Sequence, residues 1–405
     1  MKQFGMLYRY ELKKILKKKL VWVTFFLCMA ISATAILADL TGSYYVDGEI
    51  ADTHYNMFLV DSGYERQLSG RKIDQELLRE VAEAYGKIPK TMDGRYTLTE
   101  EYQMYARPYS AIFNIARKWS GMDAEELLCW EADERELYER KEEIRKACCD
   151  QLLLTDREKS FWEKKSGRTE EPLTWLYHEG YAVLMRKLEM LGLLMLLLTT
   201  VCLSGIFPEE HMRRTDQMIL CSLRGKKDVY RVKMLAGVSI SAAAVLLMTG
   251  LTVVLTFGIY GTEGFEADFM LFPSRNMYSY PLSIGEACLI GYGMLFITTI
   301  MYGLFVMVLS ELLRGGMPTL AVSAGLTIAG MIYTVPGQYR VLAQIWDWLP
   351  VKFLSTRNLF DIRLLTVLGH GFLSWQAVPA LYLLCCLVLA AAGGRIYRKY
   401  QVSGR

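Results

Sequence analysis

Six long apolar runs, nearly free of charged side chains, constrain this chain more than any other feature of its sequence. A helix needs about twenty apolar residues to cross the hydrocarbon core of a bilayer, which is roughly 30 Å thick. Inside that core a helix satisfies its own backbone hydrogen bonds. The runs are residues 20–38, 190–207, 234–260, 284–309, 317–335 and 375–392. They predict an all-α, polytopic membrane protein with six transmembrane helices, the first at 20–38 and helices 2–6 within residues 186–394.

Most of the polar residues lie in one segment, 39–185, between the first two apolar runs. Its apolar residues recur at helical spacing, and its acidic and basic residues stand at helical neighbour positions. We therefore predict a mostly helical extracellular domain. It contains thirty acidic and twenty basic side chains. This excess of acid would attract cationic peptides, and it is equally what an ordinary soluble surface looks like.

The basic residues predict the orientation of the chain. Seven of them and a single acid, Glu11, precede the first apolar run, and the tail 395–405 is also basic. Because basic loops stay in the cytoplasm, we expect a multi-pass protein of the plasma membrane with both termini cytoplasmic. The first run could also be a secretory signal. Its length and the lack of a convincing small-residue cleavage site favour an uncleaved anchor.

Residues 1–19 predict an amphipathic helix on the inner membrane surface. Phe4, Tyr8, Leu12, Ile15 and Leu16 share one helical face, and most of the lysines lie elsewhere. Such basic amphipathic helices lie in the plane of the interface. The alternative is a simple orientation signal without a defined helix. The residues expected at the membrane surface are Leu12, Lys13, Lys14, Ile15, Leu16, Lys17 and Lys18.

A second cytoplasmic segment, 208–233, joins the second and third apolar runs. It alternates acidic and basic residues and also contains apolar side chains, which suits a short helix that docks in a groove of a soluble partner. The alternative is that these apolar residues pack against the ends of the neighbouring spans. The candidate docking residues are Glu209, Glu210, Arg213, Arg214, Thr215, Asp216, Met218, Ile219, Leu220, Leu223 and Arg224.

The predicted extracellular loop 336–374 combines basic residues with tryptophans and other apolar side chains. Two interpretations are open. The loop forms interfacial or re-entrant helices on the outer face, or one transmembrane span has been assigned to the wrong residues. We favour interfacial helices, because tryptophan suits the headgroup region.

No catalytic, cofactor or metal motif is recognisable in the chain. It has no G-x-x-x-x-G-K-[ST] phosphate loop, and its four histidines have no metal-ligand spacing.

Nothing in the sequence points to a nucleic-acid partner. A disulfide between Cys129 and either Cys148 or Cys149 is possible. The sequence therefore predicts a membrane protein that is not itself an enzyme.

Two groups of short motifs stand out in the chain. The first group comprises residues 154–165, 171–172 and 180–181. The second comprises residues 206–210, 215–220, 225–226 and Lys233. Both groups resemble motifs of ABC transporter permeases of the type-2 exporter class, in particular the Gram-positive subset with a large extracellular domain between the first two spans. Arg214 stands where the family often has glycine.

The resemblance implies that residues 209–233 contain the helix that couples the permease to a separate ATPase subunit. That subunit would bind ATP and Mg, and this chain would bind neither. Two identical or two related permeases would pair and export a peptide, a lipid or a drug-like molecule. The alternative function is a membrane receptor or sensor, whose extracellular domain binds a peptide or lipid without transport.

Overall fold

A computed structural model describes residues 2–88, 95–123, 126–127, 133–167, 170–212, 225–272, 280–367 and 370–399. The protein is mostly helical, at 76%, which confirms the predicted helical class. It divides into two compact units. We call Met1–Thr34, Met185–Leu255 and Ile290–Arg405 the bundle unit, and Ala35–Leu184 with Thr256–Leu289 the insert unit.

The elements follow one another in a simple order. The longer helices are α1 Lys2–Leu16, α2 Lys19–Leu37, α3 His54–Leu68, α4 Gln75–Gly86, α5 Ser110–Ser120, α6 Glu134–Gln151, α7 Asp156–Ser166, α8 Glu179–Leu203, α10 Tyr230–Tyr260, α11 Ile284–Leu313, α12 Gly316–Ile332, α13 Arg340–Asp347 and α16 Ser374–Lys399. The short helices are α9 Pro208–Met212, α14 Pro350–Phe353 and α15 Thr356–Leu359. The strands β1 Ser43–Val46 and β2 Glu49–Thr53 form one hairpin, and β3 Leu365–Val367 and β4 His370–Phe372 form another.

Five helices are long and apolar enough to span a membrane, which indicates a multi-pass membrane protein. They are Lys19–Leu40, Glu179–Glu210, Lys227–Tyr260, Ile284–Leu313 and Ser374–Arg398. The apolar run 317–335 forms only the 17-residue helix α12. At 1.5 Å per residue α12 is about 25 Å long, which is shorter than the hydrocarbon core. A sixth crossing therefore stays a prediction that depends on this shorter helix.

The apolar helices differ in how far the protein covers them. The apolar windows of Glu179–Glu210 and Ile284–Leu313 are 72% and 67% buried, whereas the other three are 17–22% buried. In the bundle unit, Tyr302 on α11 joins two neighbours. Its hydroxyl lies 3.1 Å from Thr200 Oγ1 and 3.0 Å from Thr327 Oγ1. Interhelical hydroxyl contacts of this kind help apolar helices associate.

The loop 336–374 forms α13, α14, α15 and the β3–β4 hairpin. None of the helices in its described part exceeds eight residues, so the stretch contains no further span there. On α13, Val341, Leu342 and Ile345 are exposed, while Arg363 forms ion pairs with Asp347 and Asp361. An interfacial position for these short helices stays a prediction.

The β1–β2 hairpin lies near the start of the insert unit and departs from the helical structure expected there. Asp47 and Gly48 both have positive φ, at 49° and 87°, and Val46 pairs with Glu49 across them. Asp-Gly is a preferred dipeptide for two-residue hairpin turns, because both residues tolerate that backbone region. Asp47-Gly48, between one segment that contains tyrosines and another that contains an isoleucine, is therefore a sequence pattern that predicts a hairpin.

The core of the insert unit is helical, as expected. The apolar face of α4 is buried, and Tyr85 stacks on Phe113 of α5 with 3.8 Å between ring centroids. Three side chains cap turns of this unit: Asp123 Oδ1 accepts a hydrogen bond from Glu126 N, Thr155 forms a capping box with Glu158, and Thr99 Oγ1 accepts from Tyr102 N. Cys148 and Cys149 carry no disulfide with any described residue, and Cys129 lies outside the described residues.

A segment from another part of the sequence completes this unit. Residues 256–289, which join α10 to α11, belong to it although the predicted domain ended at 185. Gly264 has φ +85°, and a Cβ built there would lie 2.8 Å from His178 Cα. The backbone of 261–272 therefore approaches the backbone of residues 177–178 as only glycine allows.

Lys118 on α5 provides a pH-dependent contact with the same segment. Its ammonium group donates a hydrogen bond to Phe272 O at 2.8 Å, and burial lowers the pKa of Lys118 to about 8. In the unfolded chain a lysine titrates near 10.4. Between these two values the unfolded chain binds more protons than the folded chain, so the free energy of unfolding rises with pH.

We therefore expect the thermal unfolding temperature of the purified chain to rise between pH 8 and pH 9.5 through this group. Thermal unfolding of the wild type and of Lys118→Met at several pH values checks the prediction. The difference between the two proteins should change with pH between about 8 and 10.4, the range that the two pKa values of Lys118 define. A difference that is constant from pH 7 to pH 9.5 would contradict it.

Candidate functional site

The N-terminal helix α1 packs a partly charged face against the rest of the bundle unit. Glu11 is 6% exposed and Ile15 is 2% exposed, and the Tyr8 hydroxyl donates to Ser239 Oγ at 2.8 Å. Residues 8, 11 and 15 lie on one side of a helix by their spacing. The indole of Trp22 donates to Leu16 O at 2.7 Å, across the break between α1 and α2.

A second segment reaches the same place from the end of α8. The helix α8 ends at Leu203, and after a turn α9 begins at Pro208. Proline suits the first helical position, because its fixed φ is helical and its missing N–H has no partner there anyway. Glu209 and Glu210 follow in the first turn, where the helix dipole favours acids.

Lys233 on α10 is the centre of the site. It is fully buried, and its ammonium nitrogen lies 2.7 Å from Glu210 Oε1 and 3.1 Å from Glu11 Oε2. Its third contact is to Ile206 O at 2.9 Å. A lysine ammonium has three N–H donors, so all three have acceptors. The buried charge is therefore fully satisfied by groups from α1, from the turn before α9 and from α9.

Two further lysines of α1 and its C-terminal end extend this arrangement. Lys14 Nζ lies 3.4 Å from Glu210 Oε1, and Lys18 Nζ lies 3.3 Å from Glu209 Oε2. Three carboxylates thus meet three ammonium groups, and their charges balance. We call this set the Lys233 cluster; its members are Glu11, Lys14, Lys18, Glu209, Glu210 and Lys233.

Aromatic rings border the cluster on the side of the last helix. Lys233 Nζ lies 5.7 Å from the centroid of the Phe207 ring, which packs on Tyr230 and Tyr397. The Tyr230 hydroxyl donates to Ala390 O at 2.7 Å. A Cβ at Gly393 would lie 2.6 Å from that hydroxyl oxygen, so glycine lets α16 approach this closely. Four segments of the bundle unit therefore meet around Lys233 and Phe207.

Breaking any one of the buried ion pairs at this junction would be costly. Removing one partner of a buried ion pair leaves an uncompensated charge and costs about 3–5 kcal/mol. The cluster therefore holds α1, α9 and α10 in one register, and a displacement of α9 carries both neighbours with it or breaks buried ion pairs.

The predicted site residues separate into three groups. Glu210 is buried and Glu209 is half-buried in the cluster, so their charges meet lysines of the same chain instead of an external surface. Of the residues expected at the membrane surface, Ile15 is buried in the protein, while Lys13, Leu16 and Lys17 are exposed. Leu12, Lys14 and Lys18 are half-buried. The remaining docking residues lie outside the described residues: Arg213, Arg214, Thr215, Asp216, Met218, Ile219, Leu220, Leu223 and Arg224.

Sequence reasoning missed the roles of Lys233 and Glu11. Both carried a signal: Glu11 is the single acid of a basic helix and lies on its apolar side, and Lys233 stands between Val232 and Met234 in an apolar stretch. A charge at a position where the pattern calls for an apolar residue indicates a buried partner. Nothing in the pattern indicates which residue that partner is.

The described residues contain no group of three or more His, Cys, Asp or Glu side chains suited to a metal ion. The chain matches no family model, no curated protein and no solved structure. The geometry of the Lys233 cluster is therefore the main guide to function.

Proposed function

We propose that this chain is the membrane subunit of an ATP-driven exporter whose nucleotide-binding subunit is a separate protein. The observation that carries the proposal is the Lys233 cluster. It fastens α9, which leads directly into residues 213–224, to the N-terminal helix and to a membrane-length helix. A partner that moves residues 213–224 would therefore act on α1 and α10 together.

Two further features support this function. The sequence has no phosphate loop of its own, so the energy would come from another chain. Three of the five long apolar helices have windows that are at most 22% buried. Those surfaces suit lipid and a second permease, identical or related, with which the chain would form the transport path.

The Lys233 cluster changes which residues dock on the ATPase in this proposal. Glu209 and Glu210 stabilise the internal register, and the direct contacts come from the apolar residues Met218, Ile219, Leu220 and Leu223. Apolar anchors on a short amphipathic helix are a common way to bind a groove of a soluble protein.

Site-specific photocrosslinking tests the proposal. We expect a photoreactive amino acid at Leu220 to crosslink, in native membranes, to a separate protein that binds ATP. The matched control places the same amino acid at Met317, which is 79% exposed at the start of α12. Mass spectrometry identifies the products.

A strong product at Leu220 and a weak one at Met317 would support the docking assignment. Crosslinks from Leu220 only to residues of the same chain would contradict it, and would show that this segment packs on its own spans. A crosslinked partner that does not bind nucleotide would instead favour the receptor or sensor function.

A further inference from the structure

A cleft of about 700 Å³ opens within the insert unit. One wall comes from residues 170–176 with Lys72 and Lys165, and the other from Glu266, Asp268 and the segment before α11. Its volume falls within the roughly 300–1,000 Å³ that is usual for sites that enclose a small ligand. The cleft shares no residue with the Lys233 cluster, which belongs to the bundle unit.

Backbone hydrogen bonds fix both walls. On the first wall, Ile73 N donates to Leu173 O and Trp175 N donates to Arg71 O, each at 2.8 Å. On the second wall, Ile284 N donates to Ala267 O at 2.8 Å. Walls that are already ordered reduce the entropy that a ligand loses on binding. The cleft is therefore a preformed site.

The charge of the lining is predominantly negative. Glu171 forms an ion pair with Lys141, and Glu286 accepts a hydrogen bond from the backbone N–H of Ser283. No ion pair to Glu170, Glu266 or Asp268 is present among the residues that the structure describes. The charged residues of the lining are Lys72, Lys165, Glu170, Glu171, Glu266, Asp268 and Glu286.

Asp268 is the most enclosed of these carboxylates. Burial raises the pKa of its carboxyl, because the ionised form has lost part of its hydration, although a hydrogen bond from the backbone N–H of Met270 at 2.7 Å and the charge of Lys141 act in the opposite direction. A cationic group in the cleft would add a further favourable contact to that carboxylate. A second cleft of about 730 Å³ shares Glu171 and is also rich in acidic residues, so the negative potential continues beyond the first.

The lining also contains accessible apolar surface. Pro281 is exposed, and Pro172, Leu176 and Leu282 are half-buried. A bare metal ion or a polyamine would leave this surface without a partner. A ligand with both basic and apolar side chains would use both parts of the lining.

We propose that this cleft binds a short cationic peptide that also carries apolar side chains. As a statement about the exported substrate, this rests on the proposed function. As a statement about what the cleft binds, it rests on the cleft alone. The excess of acidic residues in the whole 39–185 segment would steer such a peptide toward the unit.

Binding to the full-length protein in nanodiscs of zwitterionic lipid tests the inference. The probe is a pentapeptide of alternating lysine and leucine with an uncharged fluorophore, and fluorescence anisotropy gives its Kd. In Glu170→Gln with Glu266→Gln, we expect the Kd to rise about tenfold, which corresponds to about 1.4 kcal/mol. Both residues are exposed, so the fold should tolerate the change.

The matched control is Glu100→Gln with Glu101→Gln, which makes the same change in net charge at two exposed residues outside the cleft. We expect its Kd to stay close to that of the wild type. Equal weakening in both double variants would overturn the inference, because it would reduce the effect to net charge. Failure of the wild type to bind the peptide would overturn it as well.

This measurement needs no ATPase, so it separates the two proposals. Binding in the cleft without an ATP-binding partner at Leu220 would leave the cleft as the ligand site of a receptor. An ATP-binding partner at Leu220 without binding in the cleft would leave an exporter of a different substrate, and the inference would be wrong.

Discussion

Replacing Lys233 with methionine is expected to destabilise the bundle unit by about 3–5 kcal/mol. In this variant Glu11 and Glu210 stay buried, and Lys14 is the cation of the cluster that still lies near both. Its Nζ is 4.0 Å from Glu11 Oε2 and 3.4 Å from Glu210 Oε1. An uncompensated buried charge costs about 3–5 kcal/mol, which is a large part of the total stability of a typical domain, about 5–15 kcal/mol. Thermal unfolding and the yield of monodisperse protein measure the effect.

Arg231→Met provides the matched control, because Arg231 is exposed two residues away on the same helix. Surface substitutions usually change stability by less than about 0.5 kcal/mol. We therefore expect this variant to behave like the wild type. If Lys233→Met unfolds at the same temperature as Arg231→Met, the buried cluster does not stabilise the chain.

A triple variant separates stability from coupling. Lys233→Met combined with Glu11→Gln and Glu210→Gln removes the cation and both of its carboxylates, and neutral replacements of buried ion pairs are often well tolerated. We expect it to recover much of the lost stability. Under the proposed function its transport should still be impaired, because the ion pair that links α9 to α10 is lost and only the Lys18–Glu209 pair still links α9 to the segment that follows α1. Normal transport by the folded triple variant would contradict the coupling role.

Replacing Gly264 with alanine is expected to unfold the insert unit. The new Cβ would overlap Tyr177 O and lie 2.8 Å from His178 Cα, and both are backbone atoms that a side-chain rotation does not move. The residue also has φ +85°, where alanine is strained. The two effects together place the cost at about 4 kcal/mol or more, in the exceptional range for a single substitution.

Gly70→Ala separates strain from overlap in the same unit. Gly70 has φ +92°, and apart from its chain neighbours no atom of the residues that the structure describes lies within 4 Å of the position that an alanine Cβ would take there. Backbone strain alone costs about 1–3 kcal/mol. Limited proteolysis and thermal unfolding should show a modest loss for Gly70→Ala and a much larger one for Gly264→Ala. Equal losses would mean that the approach of residues 264 and 177 contributes little.

The sequence predicts the elements of this protein better than it predicts their partners. Apolar runs and helical spacing depend on neighbours in the chain, so the long helices and the buried face of α4 follow from them. The 17-residue length of α12 does not, because residues 333–335 continue the apolar run without being helical. The β1–β2 hairpin was not predicted, although Asp47-Gly48 is a dipeptide typical of hairpin turns.

Contacts between distant residues explain the remaining differences. Glu210 has the composition of a solvated loop residue, and its burial depends on Lys14, 196 positions earlier, and on Lys233. In the same way, residues 256–289 join the insert unit through the fit of Gly264 against Tyr177, and local periodicity carries no information about that fit. The sequence pattern gives the position of a charged residue in the chain, and the three-dimensional structure is needed to identify the residue that forms an ion pair with it.

The Lys233 cluster also has a consequence for how the protein is made. Glu11 and Lys233 are separated by 222 positions, so a ribosome that adds about 5–20 residues per second needs roughly 10–45 s between them. During that interval Glu11 has no central cation, and Glu210 itself is made only 23 residues before Lys233. The junction around Lys233 can therefore close only after translation has reached the start of the third apolar helix.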